Sequence, residues 1–170
     1  MKRPDLTTVP SFYHKYIQLV PGDDLIRLLK ESETKTATFL AAIPEERWAY
    51  RYAAGKWSIK ELVQHVIDSE RIFAYRAVCF SRGESASLPG FDENTYAAAS
   101  EADRRNKQSL LDELLTVQAA TTLLFQSFSE TQLERTGIAN NNPVSVLAIG
   151  FITVGHMLHH IKILQEKYEI

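Results

Sequence analysis

Residues 144–168 read VSVLAIGFITVGHMLHHIKILQEKY and form the most informative stretch of the chain. Apolar residues dominate this stretch, and their spacing is that of an α-helix. His156 and His160 are four positions apart, so on a helix they lie on one face, about one turn from each other. Two imidazoles in this arrangement can bind one metal ion between them. The stretch therefore predicts a buried helix that carries part of a metal site.

A second apolar helical segment, residues 59–80, contributes His65. Three neutral imidazoles from two helices would leave one position of a tetrahedral ion open, as in catalytic rather than structural zinc sites. The alternative for any one of these histidines is a core residue hydrogen-bonded to a carbonyl. Burying several imidazoles without partners would cost about 1–3 kcal/mol each, and one shared ion would remove these costs together. We therefore predict that His65, His156 and His160 are metal ligands.

Two further polar residues lie near the predicted ligands. His159 is placed by the helical period at the edge of the core-facing surface, beside His160. Asp68 shares a helix face with His65, so it could complete the metal shell or orient a ligand imidazole. The alternative for Asp68 is a surface ion pair with an arginine. Both are candidates for proton handling or ligand orientation, whereas His14 is predicted to be a surface residue.

The histidine pattern disfavours one familiar enzyme class. The zinc-protease motif H-E-x-x-H requires a glutamate directly after its first histidine. Met157 occupies that place and cannot act as a general base. Cys79 lies about 21 Å along the helix from His65, so it is predicted to be a small buried side chain that takes no part in metal binding.

Four long segments with helical periodicity predict an all-α fold, a four-helix bundle. Ser58 and Glu61 form a capping box at the start of the second helix. Asn142 is predicted to cap the last helix and Pro143 to lie in its first turn. The link between the second and third helices is the longest and can cross the bundle, so a simple up-down-up-down order is not required. The four predicted helices cover residues 24–42, 58–82, 100–128 and 143–168.

Outside these helices, three stretches leave alternatives open. Residues 1–20 are either a disordered extension or, as their aromatic residues suggest, packed against the bundle. The aromatic run of residues 48–57 is either a cap over one end of the core or a wall of a substrate cleft. Residues 91–94 form either a solvated turn or the edge of such a cleft.

Composition narrows the class of protein. The 170 residues fit a single domain, 1–170, that can bury a sizeable core. A net charge of -2 gives no reason to expect nucleic acid or an anionic membrane as a partner. With one cysteine no internal disulfide can form, which suits a reducing cytoplasm. No signal peptide is evident, and no apolar run is expected to span a membrane. We predict a soluble cytoplasmic protein.

Five short motifs occur in order along the chain: GKWSIKELVQH (55–65), DSER (68–71), PGFDEN (89–94), PVSV (143–146) and GHMLHH (155–160). Each motif alone is weak, but the ordered set resembles the DinB-like (YfiT-like) metalloenzyme family, related to the bacterial mycothiol- and bacillithiol-dependent S-transferases. The resemblance implies an up-down-down-up four-helix bundle. It also implies a divalent ion, zinc or nickel, bound by His65, His156 and His160. Members of this family are often homodimers.

The leading hypothesis is a metal-dependent enzyme that acts on a small-molecule substrate. The ion would activate a water or a low-molecular-weight thiol cosubstrate, as in a thiol S-transferase or a hydrolase-like reaction. A rival hypothesis is a non-catalytic protein that binds a metal or a small apolar ligand. A third is a metal-free bundle with core histidines.

Overall fold

The computed structural model describes residues 3–170. This part of the chain contains seven α-helices and one two-stranded antiparallel sheet. In chain order the elements are α1 (Ser11–Ile17), α2 (Leu25–Ala42), α3 (Ile59–Ser81), α4 (Glu93–Ala99), α5 (Lys107–Gln126), α6 (Glu130–Glu134), β1 (Thr136–Ala139), β2 (Asn142–Ser145) and α7 (Val146–Lys167).

The four long helices, α2, α3, α5 and α7, form the predicted bundle, and each begins at a side-chain cap. The capping box of Ser58 and Glu61 is present at the start of α3. Asp24 caps α2, Asn106 caps α5 and Ser145 caps α7. In every case the side-chain oxygen accepts a hydrogen bond from a backbone N–H of the first helical turn, which would otherwise have no partner.

The third long helix begins later than predicted. Glu101 has a left-handed backbone with φ of 50°, so a helix cannot run through it from residue 100. A short 3₁₀ turn at Ala102–Arg104 follows, and α5 starts only after Asn106. The prediction mistook the polar residues 100–103 for the first helical turn.

The start of the last helix was also predicted wrongly. Asn142 and Pro143 belong to β2, which pairs with β1. The turn between the strands has Asn140 and Asn141 at φ of 51° and 61°, a conformation that asparagine tolerates and that matches the twist of a tight hairpin. The asparagines that suggested a helix cap therefore make a hairpin turn, and the helix starts at Val146.

Contacts at the ends of the bundle establish the directions of three helices. Ser58 Oγ, at the start of α3, donates a hydrogen bond of 2.6 Å to Asp103, just before α5. These two helices therefore begin at the same end. Lys107 Nζ, at the start of α5, donates a hydrogen bond of 2.7 Å to the carbonyl of Ala41, near the end of α2. Helix α2 thus runs opposite to α3 and α5.

The fourth helix runs parallel to the first of the bundle. Leu25, the first residue of α2, packs directly on Gly150 in the first turns of α7. The order is therefore up-down-down-up, as the family resemblance implied. Since α3 and α5 are parallel neighbours, the chain must return along the bundle between them, and residues 82–106 with α4 make that crossing.

Helix α7 is apolar around most of its surface because it lies in the core. It is long and apolar enough by composition to cross a membrane, contrary to the expectation that no segment would be. However, 67% of its most apolar window is buried inside the bundle. This burial is typical of a central helix in a globular domain.

The N-terminal stretch, from Arg3 onward, packs against the bundle. Helix α1 lies along α7, and Ile17 and Val20 are buried in one of the two apolar core clusters. Of the two alternatives for residues 1–20, the packed one applies to the described part. The contact is close because Gly155 of α7 faces the backbone of Tyr16: a Cβ on Gly155 would lie 2.1 Å from the Tyr16 carbonyl oxygen.

We expect Gly155→Ala to destabilise the protein by about 1–3 kcal/mol, as overpacking does, because the backbone of α1 must move to admit the methyl group. Gly150→Ala is the comparison, since its Cβ would meet the side chains of Leu25 and Phe125 and no neighbouring backbone. The two variants gain similar helix propensity. Urea unfolding measures the difference, and equal stabilities would contradict the close approach of α1.

Candidate metal centre

The bundle brings the three predicted ligand histidines together at one site. His65 lies in the second turn of α3, and His156 and His160 lie in the second half of the antiparallel helix α7. His156 Nε2 is 3.2 Å from His65 Nε2 and 3.1 Å from His160 Nε2. One ring nitrogen from each residue lies within 4.8 Å of the other two. Within the described chain no other group of histidine, cysteine or carboxylate side chains meets this criterion.

These imidazoles are held in the form that a metal needs. Their exposed fractions are 8% for His65 and 6% for both His156 and His160. Burial lowers the pKa of His65 to about 4, an effect that the nearby Glu93 carboxylate partly opposes. Burial also lowers the pKa values of His156 and His160 well below the ordinary value, and the neighbouring histidines add to this. At neutral pH all three rings are therefore uncharged and can offer lone pairs.

The donor set fits a cation better than it fits hydrogen bonding alone. The Nε2 of His156 carries either one proton or one lone pair in the ring plane, so it can make only one good hydrogen bond with its two neighbours. In its contact with the other neighbour, His156 Nε2 would then face a group of its own kind, an N–H against an N–H or a lone pair against a lone pair. Tetrahedral ligands at about 2.0–2.1 Å from an ion are about 3.3 Å apart, close to the two distances observed. Three neutral imidazoles that converge in this way suit zinc and similar borderline ions.

The histidines open onto a cleft of about 290 Å³. One wall is Trp57, whose ring centroid is 4.8 Å from that of His65. A second is Tyr16 of α1, which packs edge-on against His156 with a centroid distance of 5.3 Å. Phe91, from the crossing segment, also lines the cleft. A ligand that enters it can therefore reach the histidine nitrogens from a largely aromatic pocket.

Two of the open alternatives are thereby decided. In the aromatic run Trp48 is fully buried in the core, whereas Trp57 is a cleft wall, so the run serves as both end cap and wall. In the crossing segment Asp92 caps α4, while Phe91 and Glu93 line the cleft. Residues 91–94 are therefore a cleft edge and not only a solvated turn.

His159 lies beside the cluster but is not one of its three converging residues. It is half-buried, lines the cleft, and packs edge-on against Tyr16 at a centroid distance of 5.3 Å. Partial burial, followed by the positive charges of Lys15 and Lys162, lowers its pKa. His14, by contrast, is partly buried, hydrogen-bonds through Nε2 to the Val9 carbonyl at 2.8 Å, and is not part of the cleft lining.

The structure does not place Asp68 at the centre. Its carboxylate accepts a hydrogen bond of 2.9 Å from Gln64 Nε2, one turn earlier on α3. Asp68 does not line the cleft, nor does it belong to the group of possible ligands. Asp68 shares a helix face with His65, but this is not enough to bring it to the centre. A side chain three residues later on a helix points to one side of the imidazole. Cys79 is half-buried against the core rather than fully buried, and it too lies outside the cleft.

Tyr16 and Arg76 are among the cleft residues that were not predicted as part of the site. Tyr16 contacts two histidines from α1, but only its aromatic character hinted that this stretch packs. Arg76 lies eleven residues after His65 on the same helix, and it also lines the cleft. Its position at a helical interval from His65 was a usable signal, since positions seven and eleven residues apart stay near one face.

Comparison with known proteins agrees with this architecture. Residues 28–164 match the sequence profile of the DinB superfamily. A candidate metal-dependent hydrolase from Oceanobacillus iheyensis is 24% identical over 143 residues, which cover 82% of each protein.

Solved structures show the same fold. YfiT from Bacillus subtilis, described as a probable metal-dependent hydrolase with an unusual four-helix bundle topology, superposes with a TM-score of 0.76. It is 17% identical, and the match covers 99% of this chain and 93% of YfiT. A mycothiol-dependent maleylpyruvate isomerase gives a TM-score of 0.70 at 12% identity, with 86% of this chain and 61% of the isomerase covered. The profile match covers most of the sequence, and the chain therefore belongs to the DinB superfamily.

Proposed function

We propose that this protein is a metal-dependent enzyme whose single divalent ion, zinc or nickel, is bound by His65, His156 and His160. The observation that carries the proposal is the convergence of three buried, neutral imidazole nitrogens at the floor of an open cleft. The names of the Oceanobacillus and Bacillus relatives support a hydrolase-like activity, and that of the isomerase supports a role for a low-molecular-weight thiol.

When bound, the ion would lower the pKa of a water or thiol in its open position and so supply a nucleophile at neutral pH. The residues of the chain perform the remaining tasks. The three histidines, His65, His156 and His160, would hold the ion so that its open position faces the cleft. The aromatic walls at Tyr16 and Trp57 exclude bulk water and pack against a small organic substrate. His159, which also lines the cleft, is a group able to accept or donate a proton there.

Elemental analysis of protein purified without an affinity tag tests the metal site. We expect one divalent ion per chain in the wild type and almost none in His156→Ala, since the central imidazole contacts both others. His14→Ala, which removes a histidine outside the cleft, should keep the ion. Equal metal content in the wild type and His156→Ala would refute the ligand assignment.

Spectroscopy of the cobalt-substituted protein then separates an enzyme from a storage protein. Addition of a simple thiol such as 2-mercaptoethanol should produce a thiolate-to-cobalt absorption band if one position of the ion is open. An ion that is bound tightly but shows no change with thiol would favour the non-catalytic alternative. We also propose a cytoplasmic location and a homodimer, on the basis of the lone cysteine and the family resemblance.

Removal of the ion should lower the melting temperature without abolishing the fold. An ion that binds only the folded state stabilises it by about 2.7 kcal/mol when free metal is a hundredfold above its dissociation constant. The helices retain two apolar core clusters that do not depend on the ion. Thermal denaturation with and without chelator measures the effect. The expectation fails if protein shown to have lost its ion melts at the same temperature as before.

A further inference from the structure

Arg76 is a charged residue that the proposed metal chemistry does not use. It lies on α3 and lines the same cleft as the three histidines, yet its exposed fraction is only 4%. Its Nη2 donates a hydrogen bond of 2.8 Å to the carbonyl of Pro89. Its guanidinium lies near the Tyr13 phenol, whose pKa burial raises and the charge of Arg76 partly lowers. Both neighbouring groups are neutral.

A buried guanidinium with only neutral partners is unusual because the loss of hydration is normally offset by a carboxylate. Arg105 shows the ordinary arrangement in this protein, since it pairs with Glu113. Within residues 3–170 no Asp or Glu lies within ion-pair distance of Arg76. The hydrogen bond to Pro89 leaves most of its five-donor fork free. These features indicate a site prepared for an anion.

The position of Arg76 relates this anion site to the histidine cluster. The Cα atoms of His65 and Arg76 are separated by about 16 Å along the axis of α3. The long arginine side chain leans toward the helix N-terminus and shortens that gap. Phe73 lies between them on the cleft floor, with its ring 5.7 Å from that of His156. A ligand could therefore contact both ends of the cleft and rest on an apolar middle.

The charges around the cleft favour a carboxylate over a phosphate. Lys15 at the rim adds one positive charge, whereas Glu93, the only carboxylate residue of the lining, adds a negative one. One guanidinium and one phenol offer a fork that matches a singly charged carboxylate. A phosphate dianion would need further positive charge that the cleft does not provide.

We propose that Arg76 is a specificity-determining residue that binds a carboxylate group of the substrate, while the reacting end of the substrate lies at the three-histidine site. This inference rests on the proposed function, because it takes the histidine cluster as the reacting end. Tyr13 would add a second donor to the carboxylate, and Phe73 would contact the carbon chain between the two ends.

The test uses cobalt-substituted protein and ω-mercaptocarboxylic acids of three to eight carbons, each compared with its methyl ester. The thiolate absorption band reports binding at the metal end. At the best chain length we expect the wild type to bind the acid about 10- to 100-fold more tightly than the ester, the range that a charge-assisted hydrogen bond provides. Arg76→Gln should reduce this ratio to near one and leave ester binding unchanged.

Arg82→Gln is the matched control, since it removes the same charge six residues later, at an exposed position outside the cleft. It should keep the acid preference. If Arg76→Gln does not fold, Arg76→Lys keeps the charge without the planar fork and should retain only a small part of the preference. Equal binding of acid and ester by folded wild-type protein at every chain length would overturn the inference.

A second measurement separates failure of this inference from failure of the proposed function. Glutarate titration of metal-free protein, followed by isothermal calorimetry, needs no ion and no thiol. Binding that Arg76→Gln abolishes supports the carboxylate site even if cobalt and thiols show no site at the histidines. If the wild-type protein does not bind glutarate but still binds thiols, the carboxylate site is refuted and the proposed metal site is not. If Arg76 only anchors the Pro89 segment, its variants will lower the melting temperature and leave the acid-to-ester ratio unchanged.

Discussion

Replacement of His160 by glutamine should remove most of the affinity for a divalent ion, whereas the same change at His159 should leave the ion in place. His160 is 6% exposed, and its Nε2 lies 3.1 Å from that of His156. His159 is adjacent in sequence but points about 100° away around the helix, and it packs at the rim against Tyr16. Loss of one of three ligands removes a metal bond outright. Loss of a neighbour that only orients the site weakens binding about 10- to 100-fold at most.

Isothermal titration with zinc on the two variants measures this difference. Because the substitutions are identical and adjacent, general effects of glutamine on helix stability are matched. Circular dichroism of both proteins checks that the bundle is intact. If His159→Gln abolishes binding while His160→Gln binds zinc like the wild type, the register of the site on α7 is wrong.

Substitution of Glu70 by glutamine should stabilise the protein strongly in alkaline solution and hardly at all in acid. Glu70 lies in the middle of α3, is 4% exposed, and shares a small internal cavity with Gln118 and Thr153. Burial raises the pKa of its carboxyl to about 7, although a hydrogen bond from Thr121 opposes this. The folded protein therefore holds this proton more tightly than the unfolded chain does.

The direction of the pH dependence follows from that difference. Between about pH 4.5, the ordinary value, and pH 7, the folded state binds more protons than the unfolded state, so the free energy of unfolding falls as the pH rises. A shift from 4.5 to about 7 corresponds to about 3 kcal/mol. Glutamine is a neutral isostere that avoids this cost. Its amide group would line the same cavity as Gln118, whose buried Oε1 has no hydrogen-bond partner.

Urea unfolding of the wild type and Glu70→Gln at pH 5 and pH 8.5 tests the expectation. The gain in stability should be about 2.5 kcal/mol larger at pH 8.5 than at pH 5. Glu46→Gln, at an exposed position, is the control and should show almost no pH-dependent gain. Each comparison is made at one pH, so titration of the histidines contributes equally to variant and wild type. A gain that is the same at both pH values would show that Glu70 is charged throughout.

Short-range patterns in the sequence were enough to predict the helical fold. The spacing of apolar residues within 144–168 and 59–80 shows which face of each helix is buried, because that face returns once in every helical turn. The capping box at Ser58 is equally local, because the residues that form it are three positions apart. The mistaken start of α7 has a different origin. Asparagine suits a helix cap and also a left-handed turn, and only the pairing of β1 with β2 decided between them.

The sequence by itself determined a bundle of amphipathic helices and a helix face that carries His156 and His160, since both follow from the helical period. Only the tertiary structure decided that His65 meets this pair, that Asp68 is turned to Gln64, and that α1 closes one side of the cleft. It also placed Arg76 in that cleft without a counter-ion. The physical reason is distance along the chain: 91 residues separate His65 from His156, and contacts at such separations depend on how whole helices pack, which no local pattern encodes.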